Sequence, residues 1–240
     1  MITRWFKRWE TAKSPEQMRQ AIGVDESWPQ ALKRYLQQPL ADENTTLNEL
    51  SFVALDFETT GVDAQNDQIL SIGVVDLTLD SIDIASTEEW YINHGEFIKP
   101  ESAQINGLTP QDLATGLTLD DGMNRLFERI QGKAIVAHGC CIEKAFIDAY
   151  VSSRYGINEL PAYYIDSLRI EKQLSYAGKS GAHKSYQLDD LRRHYNLPSY
   201  LSHSAASDAL ACAELFLVQS KKVHAFAHLT LSRHCHGLYP

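Results

Sequence analysis

Phe52-Val-Ala-Leu-Asp56-Phe-Glu58-Thr59-Thr60-Gly61 is an apolar run that ends in two carboxylates spaced i, i+2 and passes at once into a Thr-Thr-Gly turn. Alternate residues of a strand share a face. Read as a strand, the run sets Asp56 and Glu58 side by side at its end. Two such carboxylates repel, and burying them without compensation is costly. A hard divalent cation removes the conflict, because Mg²⁺ and similar ions take carboxylate oxygens. The stretch therefore reads as one half of a metal site built on a sheet.

The rest of the chain supplies a domain of ordinary soluble composition around that strand. It has 240 residues and a formal net charge of −9, enough for one large domain or a domain with an extension. No run of about 18 apolar residues is present, so no membrane span is expected, and the basic, aromatic N-terminus does not resemble a signal peptide. The cysteines are Cys140, Cys141, Cys212 and Cys235, without C-x-x-C spacing. That pattern points away from a disulfide framework or zinc ribbon and towards a reducing cytoplasm. The charge is uneven. Residues 1–40 hold seven Lys/Arg against four Asp/Glu, and the remainder fifteen against twenty-seven. The acidity argues against non-specific polyanion binding unless metal ions offset it locally.

Residues 1–48 read as a small helical extension. Ser14-Pro15-Glu16-Gln17 has the form of a capping box, and Ser27 is placed to cap a second helix through Trp28, Leu32 and Leu36. The aromatic residues near the start are expected to pack on the main domain. From residue 49 to 223 strands come first, at 52–57, 69–77 and near 89–93, followed by strand–helix alternation. Helices are expected at 118–130, 142–150, 186–195 and 205–219, short strands at 133–138 and 163–165, and a further helix from Asp166-Ser167. This order predicts an α/β domain with a mixed sheet covered by helices. Residues 224–240 form a His-rich tail in which a zinc site is the minor reading.

Three later segments join the opening motif. Ile135-Val-Ala-His138-Gly139-Cys-Cys-Ile-Glu143 is a strand, a tight turn and the first helical turn, where an acid is favoured by the helix dipole in any case. His203-Ser-Ala-Ala-Ser-Asp208 precedes small residues suited to close helix–sheet packing, and Ser204 or Ser207 is placed as a cap. Asp166 stands at a strand end, as a helix cap or a group that orients a ligand. In order and spacing these segments resemble the three motifs of the DEDDh (DnaQ-like) 3′–5′ exonucleases, the family that includes the epsilon proofreading subunit of bacterial replicative polymerase. Asn106-Gly-Leu-Thr109 and Asp166-Ser-Leu168 resemble two minor family segments.

The resemblance implies a ribonuclease H-like mixed sheet flanked by helices, and a two-metal site of Mg²⁺ or Mn²⁺ held by Asp56, Glu58, Glu143 and Asp208. It implies His203 as general base, and Thr59, Thr60, Gly61 and His138 against the terminal nucleotide. Nucleic-acid 3′ ends are the implied partner, DNA before RNA, and the extension is a candidate docking element for a protein. The chain departs from the family in one place: aligned on His138, Glu143 occupies a position where Asp is usual. Glu keeps the charge and adds a methylene, so an inactive module that binds ends or a protein is the alternative, and a structural metal site a third reading. Cys140 and Cys141 are either redox-sensitive or turn-packing residues. Lys179-Ser-Gly-Ala-His-Lys184 is a basic loop that either contacts phosphates or connects two helices.

Overall fold

The structure, a computed structural model, describes residues 13–95, 113–181, 183–200, 204–223 and 226–231. Five strands form one sheet: β1 (Phe52–Thr59), β2 (Ile69–Leu77), β3 (Ile82–Tyr91), β4 (Ala134–Ala137) and β5 (Tyr164–Asp166), in the order β3-β2-β1-β4-β5. β1 pairs antiparallel with β2 and parallel with β4, so the sheet is mixed, as expected. β3 begins well before the expected residue 89. Its first half is an edge strand with partly or fully exposed residues on both faces, and such a strand carries no alternating apolar signal.

The alternation of β1 divides the molecule into two layers. Val53, Leu55 and Phe57 face a core shared with α2 (Gln30–Gln37), α3 (Leu119–Ile130) and α4 (Cys141–Tyr155). Phe52 and Ala54 face the opposite core, built with α5 (Ser167–Tyr176) and α7 (Ala205–Lys222). Asp56 and Glu58 continue the second series and so point to the α7 side. A short helix, α6 (Leu188–His194), links α5 to α7.

Local sequence sets the helix ends. α1 (Pro15–Ala21) has the capping box: Gln17 N–H donates to Ser14 Oγ at 3.3 Å, and Ser14 N–H to Gln17 Oε1 at 3.0 Å. α3 is capped by Thr118 Oγ1, which accepts from Asp121 N–H at 3.1 Å. α2 starts later than expected. Ser27 is held in a turn by Asp25 Oδ1, which accepts from its N–H at 2.8 Å and its hydroxyl at 2.7 Å, and the helix begins after Pro29.

The extension is part of the domain core. Ala31, Leu32, Tyr35 and Leu36 of α2 are buried in the cluster with α3, and Tyr35 hydroxyl donates to Pro161 C=O at 2.8 Å. The expected boundary at 48/49 is also bridged: Thr46 pairs with Thr230, and Leu47 N–H donates to Leu229 C=O at 2.9 Å. Phe226 and Leu231, at the start of the expected tail, are buried in the second core. Trp5, Phe6, Trp9 and most of the His-rich tail lie outside the described residues. Among the described residues, no helix is long and apolar enough to cross a membrane.

Leu32 is fully buried, and truncating a buried leucine costs about 2–5 kcal/mol. Leu32→Ala is expected to lower whole-domain stability by that amount in a denaturant titration. A change below about 0.5 kcal/mol, the range of surface substitutions, would mean that α2 is an appendage.

Candidate active site

β1 delivers Asp56 and Glu58 to the α7 face, and α7 meets them with Asp208 in its first turn. One carboxylate oxygen from each of Asp56, Glu58 and Asp208 lies within 4.8 Å of the others. This convergence depends on a residue that sequence reading overlooked. Gly73 of β2 sits opposite Asp56 on one side and opposite Glu89 of β3 on the other. A Cβ at Gly73 would stand 2.0 Å from the Ala205 carbonyl carbon, so only glycine lets the start of α7 rest on the sheet here. Glu89 fixes that contact, accepting from Ser204 Oγ at 2.7 Å and from Ala205 N–H at 3.2 Å. The legible signal was a lone glycine inside the apolar run Ile69–Leu77, a usual mark of close backbone approach. Glu89 gave none.

The second motif forms as expected. β4 leads into a turn at Gly139, whose φ is +85°, and α4 follows with Glu143 in its first turn. Asp166 holds this turn, its Oδ1 accepting from Gly139 N–H at 2.9 Å and from Leu168 N–H at 2.9 Å. It thus caps α5 and orients the segment that carries Glu143. Glu143 is 5% exposed, and its Oε2 is buried without a hydrogen-bond partner among the described residues. It stands outside the close group of three, yet its charge acts on Asp56 more strongly than that of any other acid.

The electrostatics reflect this crowding. Desolvation pushes Asp56 well above the usual carboxylate range, and the charges of Glu143, Asp208, Glu58 and Glu89 add to it. Burial pushes Glu143 up to about 8; the Asp166 charge adds to that rise, while its own N–H and that of Phe57 oppose it. A set of hard carboxylate oxygens, mutually repelling and with one buried oxygen unsatisfied, fits divalent cations. Asp56, Glu58 and Asp208 would hold an ion, with Glu143 outside that close group.

The other expected residues fall as follows. Thr59 ends β1, its Oγ1 donating to Gly61 C=O at 2.6 Å, and Thr60 Oγ1 donates to Asp67 Oδ1 at 3.0 Å. Gly61 packs on that same Asp67 carboxylate, where a Cβ would meet it at 2.4 Å. His138, expected against the nucleotide, has both ring nitrogens occupied within the protein. Nδ1 lies 2.8 Å from Ser167 Oγ, and Nε2 lies 2.8 Å from Tyr186 C=O. The carbonyl can only accept, so Nε2 carries the proton, and burial lowers the ring pKa in keeping with a neutral imidazole. His138 therefore positions the Tyr186 loop, and only its carbon edge is left for a ligand. Cys140 is buried, and desolvation raises its thiol far above the reactive range, which selects the packing role. His203 and Asn106–Thr109 lie outside the described residues.

A mixed sheet with helices on both faces, presenting a carboxylate cluster at the end of its central strand, defines the class of ribonuclease H-like nucleases. The RNase T family model, described as an exonuclease, matches residues 53–216, and the chain belongs to that family. DNA polymerase III subunit epsilon from Treponema pallidum is 29% identical over 167 residues, 70% of this chain and 75% of that protein. PolC-type DNA polymerase III from Thermotoga maritima is 29% identical over 178 residues, which cover 73% of this chain but 12% of the polymerase. The chain thus spans a small part of the PolC-type relatives it matches. Escherichia coli exonuclease I, solved with a dT13 oligonucleotide, superposes with a TM-score of 0.61 over 72% of this chain and 41% of its own, at 14% identity. The cell-death related nuclease CRN-4 gives 0.58 over 71% and 64%, at 16% identity. At these identities the superpositions establish the fold.

Gly73→Val is expected to displace the start of α7 and lower nuclease turnover by about a hundredfold or more, the scale of a ~1 Å misplacement. Wild-type turnover in that variant would remove the close approach as a requirement.

The raised carboxyls also fix the sign of a pH effect. Between the ordinary 4.5 and about 8, folded Glu143 retains a proton that the unfolded chain has released, so metal-free stability falls as pH rises through that window. Binding a cation must expel the proton. Mn²⁺ affinity is therefore expected to weaken from pH 8 to pH 6, with proton release seen as buffer-dependent heat in calorimetry. A pH-independent affinity with no proton release would contradict the raised carboxyls.

Proposed function

We propose that the chain is a divalent-metal-dependent 3′–5′ exonuclease that hydrolyses the terminal phosphodiester of a nucleic acid, DNA in preference to RNA, and releases nucleoside 5′-monophosphates. The observation that carries this reading is the meeting of Asp56, Glu58 and Asp208 from two separate elements, with Glu143 buried beside them and one of its oxygens unsatisfied. Such an arrangement costs stability unless it serves a cation. The epsilon subunit relative, matched over most of its length, supports the same assignment.

Asp56, Glu58 and Asp208 would hold one divalent cation, and Glu143 together with Asp56 would support a second. When bound, a pair of Mg²⁺ or Mn²⁺ ions supplies an activated water and neutralises charge on the scissile phosphate and the departing 3′-oxygen. The chain's own residues do the rest. His203, immediately before the α7 cap Ser204, takes the proton of the attacking water on its imidazole, whose ordinary pKa of about 6.5 suits that transfer near neutrality. The Thr59-Thr60-Gly61 turn, braced by Asp67, positions the terminal nucleotide. Asp166 keeps the Gly139 turn, and with it Glu143, in register. The reducing cytoplasm is the compartment we assign. With α2 committed to the core, any docking of a polymerase or other protein through the extension falls to α1 and the residues before it.

Degradation of 5′-labelled single-stranded DNA tests the reading. Asp208→Ala and chelation by EDTA are each expected to abolish shortening from the 3′ end, with Mg²⁺ or Mn²⁺ restoring the chelated enzyme. His203→Ala is expected to lose about 10²–10⁴-fold in turnover, the range of general-base catalysis, while keeping Mn²⁺ affinity. Undiminished cleavage by Asp208→Ala would falsify the metal assignment.

Glu143→Asp is expected to retain at least wild-type turnover in the same assay, since Asp is the usual family acid. Complete loss would show that the α4 backbone is built around the longer side chain.

A further inference from the structure

The segment from α5 to the start of α6 is basic in an acidic protein. Residues 167–187 contain Arg169, Lys172, Lys179 and Lys184 against one acid, Glu171. That acid is turned inward. It is fully buried, with Tyr195 hydroxyl at 2.9 Å, Gln219 Nε2 at 2.9 Å and His183 Nε2 at 2.8 Å. Within these residues the outer face therefore presents only cations, and the next acids along the chain are Asp166 before it and Asp189 after it. Lys172, Lys179 and Lys184 are exposed and have no carboxylate partner among the described residues. Tyr176 lies between them and is 97% exposed, the largest exposure of any large apolar or aromatic side chain described.

This face is held in shape. α5 ends in a Schellman turn: Lys179 N–H donates to Leu174 C=O at 2.9 Å, Gly178 N–H donates to Ser175 C=O at 3.0 Å, and Gly178 has a φ of +70°. Ser175 Oγ donates to Gly181 C=O at 2.7 Å and closes the following loop. Lys172 and Tyr176 are four residues apart on α5 and so share one helical face. The face is also linked to the turn that follows β4. Lys172 Nζ lies 5.8 Å from the centre of the Tyr186 ring, and Tyr186 C=O is the acceptor for His138. His138 directly follows β4, which pairs in parallel with β1, the strand that carries Asp56.

We propose that this face is the track for the single strand leading to the site, with Lys172, Lys179 and Lys184 on backbone phosphates and Tyr176 as a stacking platform for a base. Lysines interleaved with an exposed aromatic ring are the elements of sequence-tolerant single-strand binding. The inference rests on the nuclease reading above and specifies its substrate as a strand long enough to pass from the carboxylates to Tyr176. A short ester that reaches only the carboxylates does not use the track.

The test compares two substrates of the full chain with Mn²⁺: a long oligothymidylate, and the p-nitrophenyl ester of thymidine 5′-monophosphate. Lys172→Gln/Lys179→Gln/Lys184→Gln is expected to raise KM for the oligonucleotide at least about tenfold. It should also reduce the slope of log KM against log salt by about 2, since each single-strand phosphate contact contributes about 0.7. Tyr176→Ala is expected to raise KM by about fivefold or more, from a stacking contribution of at least ~1 kcal/mol. Turnover of the ester should stay within twofold in both variants. Unchanged KM and salt slope for the oligonucleotide would overturn the track while leaving the nuclease reading intact, and would turn the face towards an acidic protein instead. Equal losses on both substrates would assign these residues to folding and also overturn it. Failure of the wild-type chain to cleave either substrate would instead sink the nuclease reading and the track together.

Discussion

The approach of α7 to the backbone of β2 at Gly73 is the constraint on which the site depends. Asp56, Gly73 and Glu89 form one row across three strands. The missing side chain in the middle of that row admits a helix start, the carboxylate at one end grips it, and the carboxylate at the other end faces Asp208. Ala205 and Ala209 are fully buried, as contact with a sheet at this distance requires. A larger residue at any of these small positions would lift α7 and separate its acid from those of β1.

The same closeness creates the electrostatic tension. Burial raises the proton affinity of Asp56 and of Glu143, and the charges of Glu143, Asp208 and Glu58, gathered from α4, α7 and β1, raise that of Asp56 further. The domain sustains this cost with two hydrophobic cores, one on each side of the sheet. Around the acids, Asp166 is hydrogen-bonded to the Gly139 turn, Asp67 to Thr60 Oγ1 and Asp63 N–H, and Glu89 to Ser204 and Ala205 at the start of α7. Oε2 of Glu143 is buried with no hydrogen-bond partner among the described residues and is open to a ligand.

Strands β1, β2 and β4 were legible as apolar runs because the sheet buries both of their faces, and helices α3, α4 and α7 because each buries one face and therefore carries a period. The edge strand β3 was legible only near its end, because most of it buries neither face. The extension was visible as helices, but its membership of the core was not: an amphipathic helix shows that it needs a partner surface without naming that surface. His138 was read as a ligand-facing residue, and its actual partners, Ser167 and Tyr186, lie 29 and 48 residues away.

By itself, the sequence determined where the acids leave their own elements and which family they resemble. The acids Asp56, Glu58, Glu143 and Asp208 stand at strand ends and in first helical turns, in an order and spacing that mark a nuclease fold, because local periodicity and turn residues fix where each side chain leaves its own element. The tertiary structure alone decided how near these elements come. Gly73 and Glu89 carry no motif. Their meaning arises from what packs over them, and contact between elements more than a hundred residues apart in the chain is a property of the folded surface, not of any local pattern.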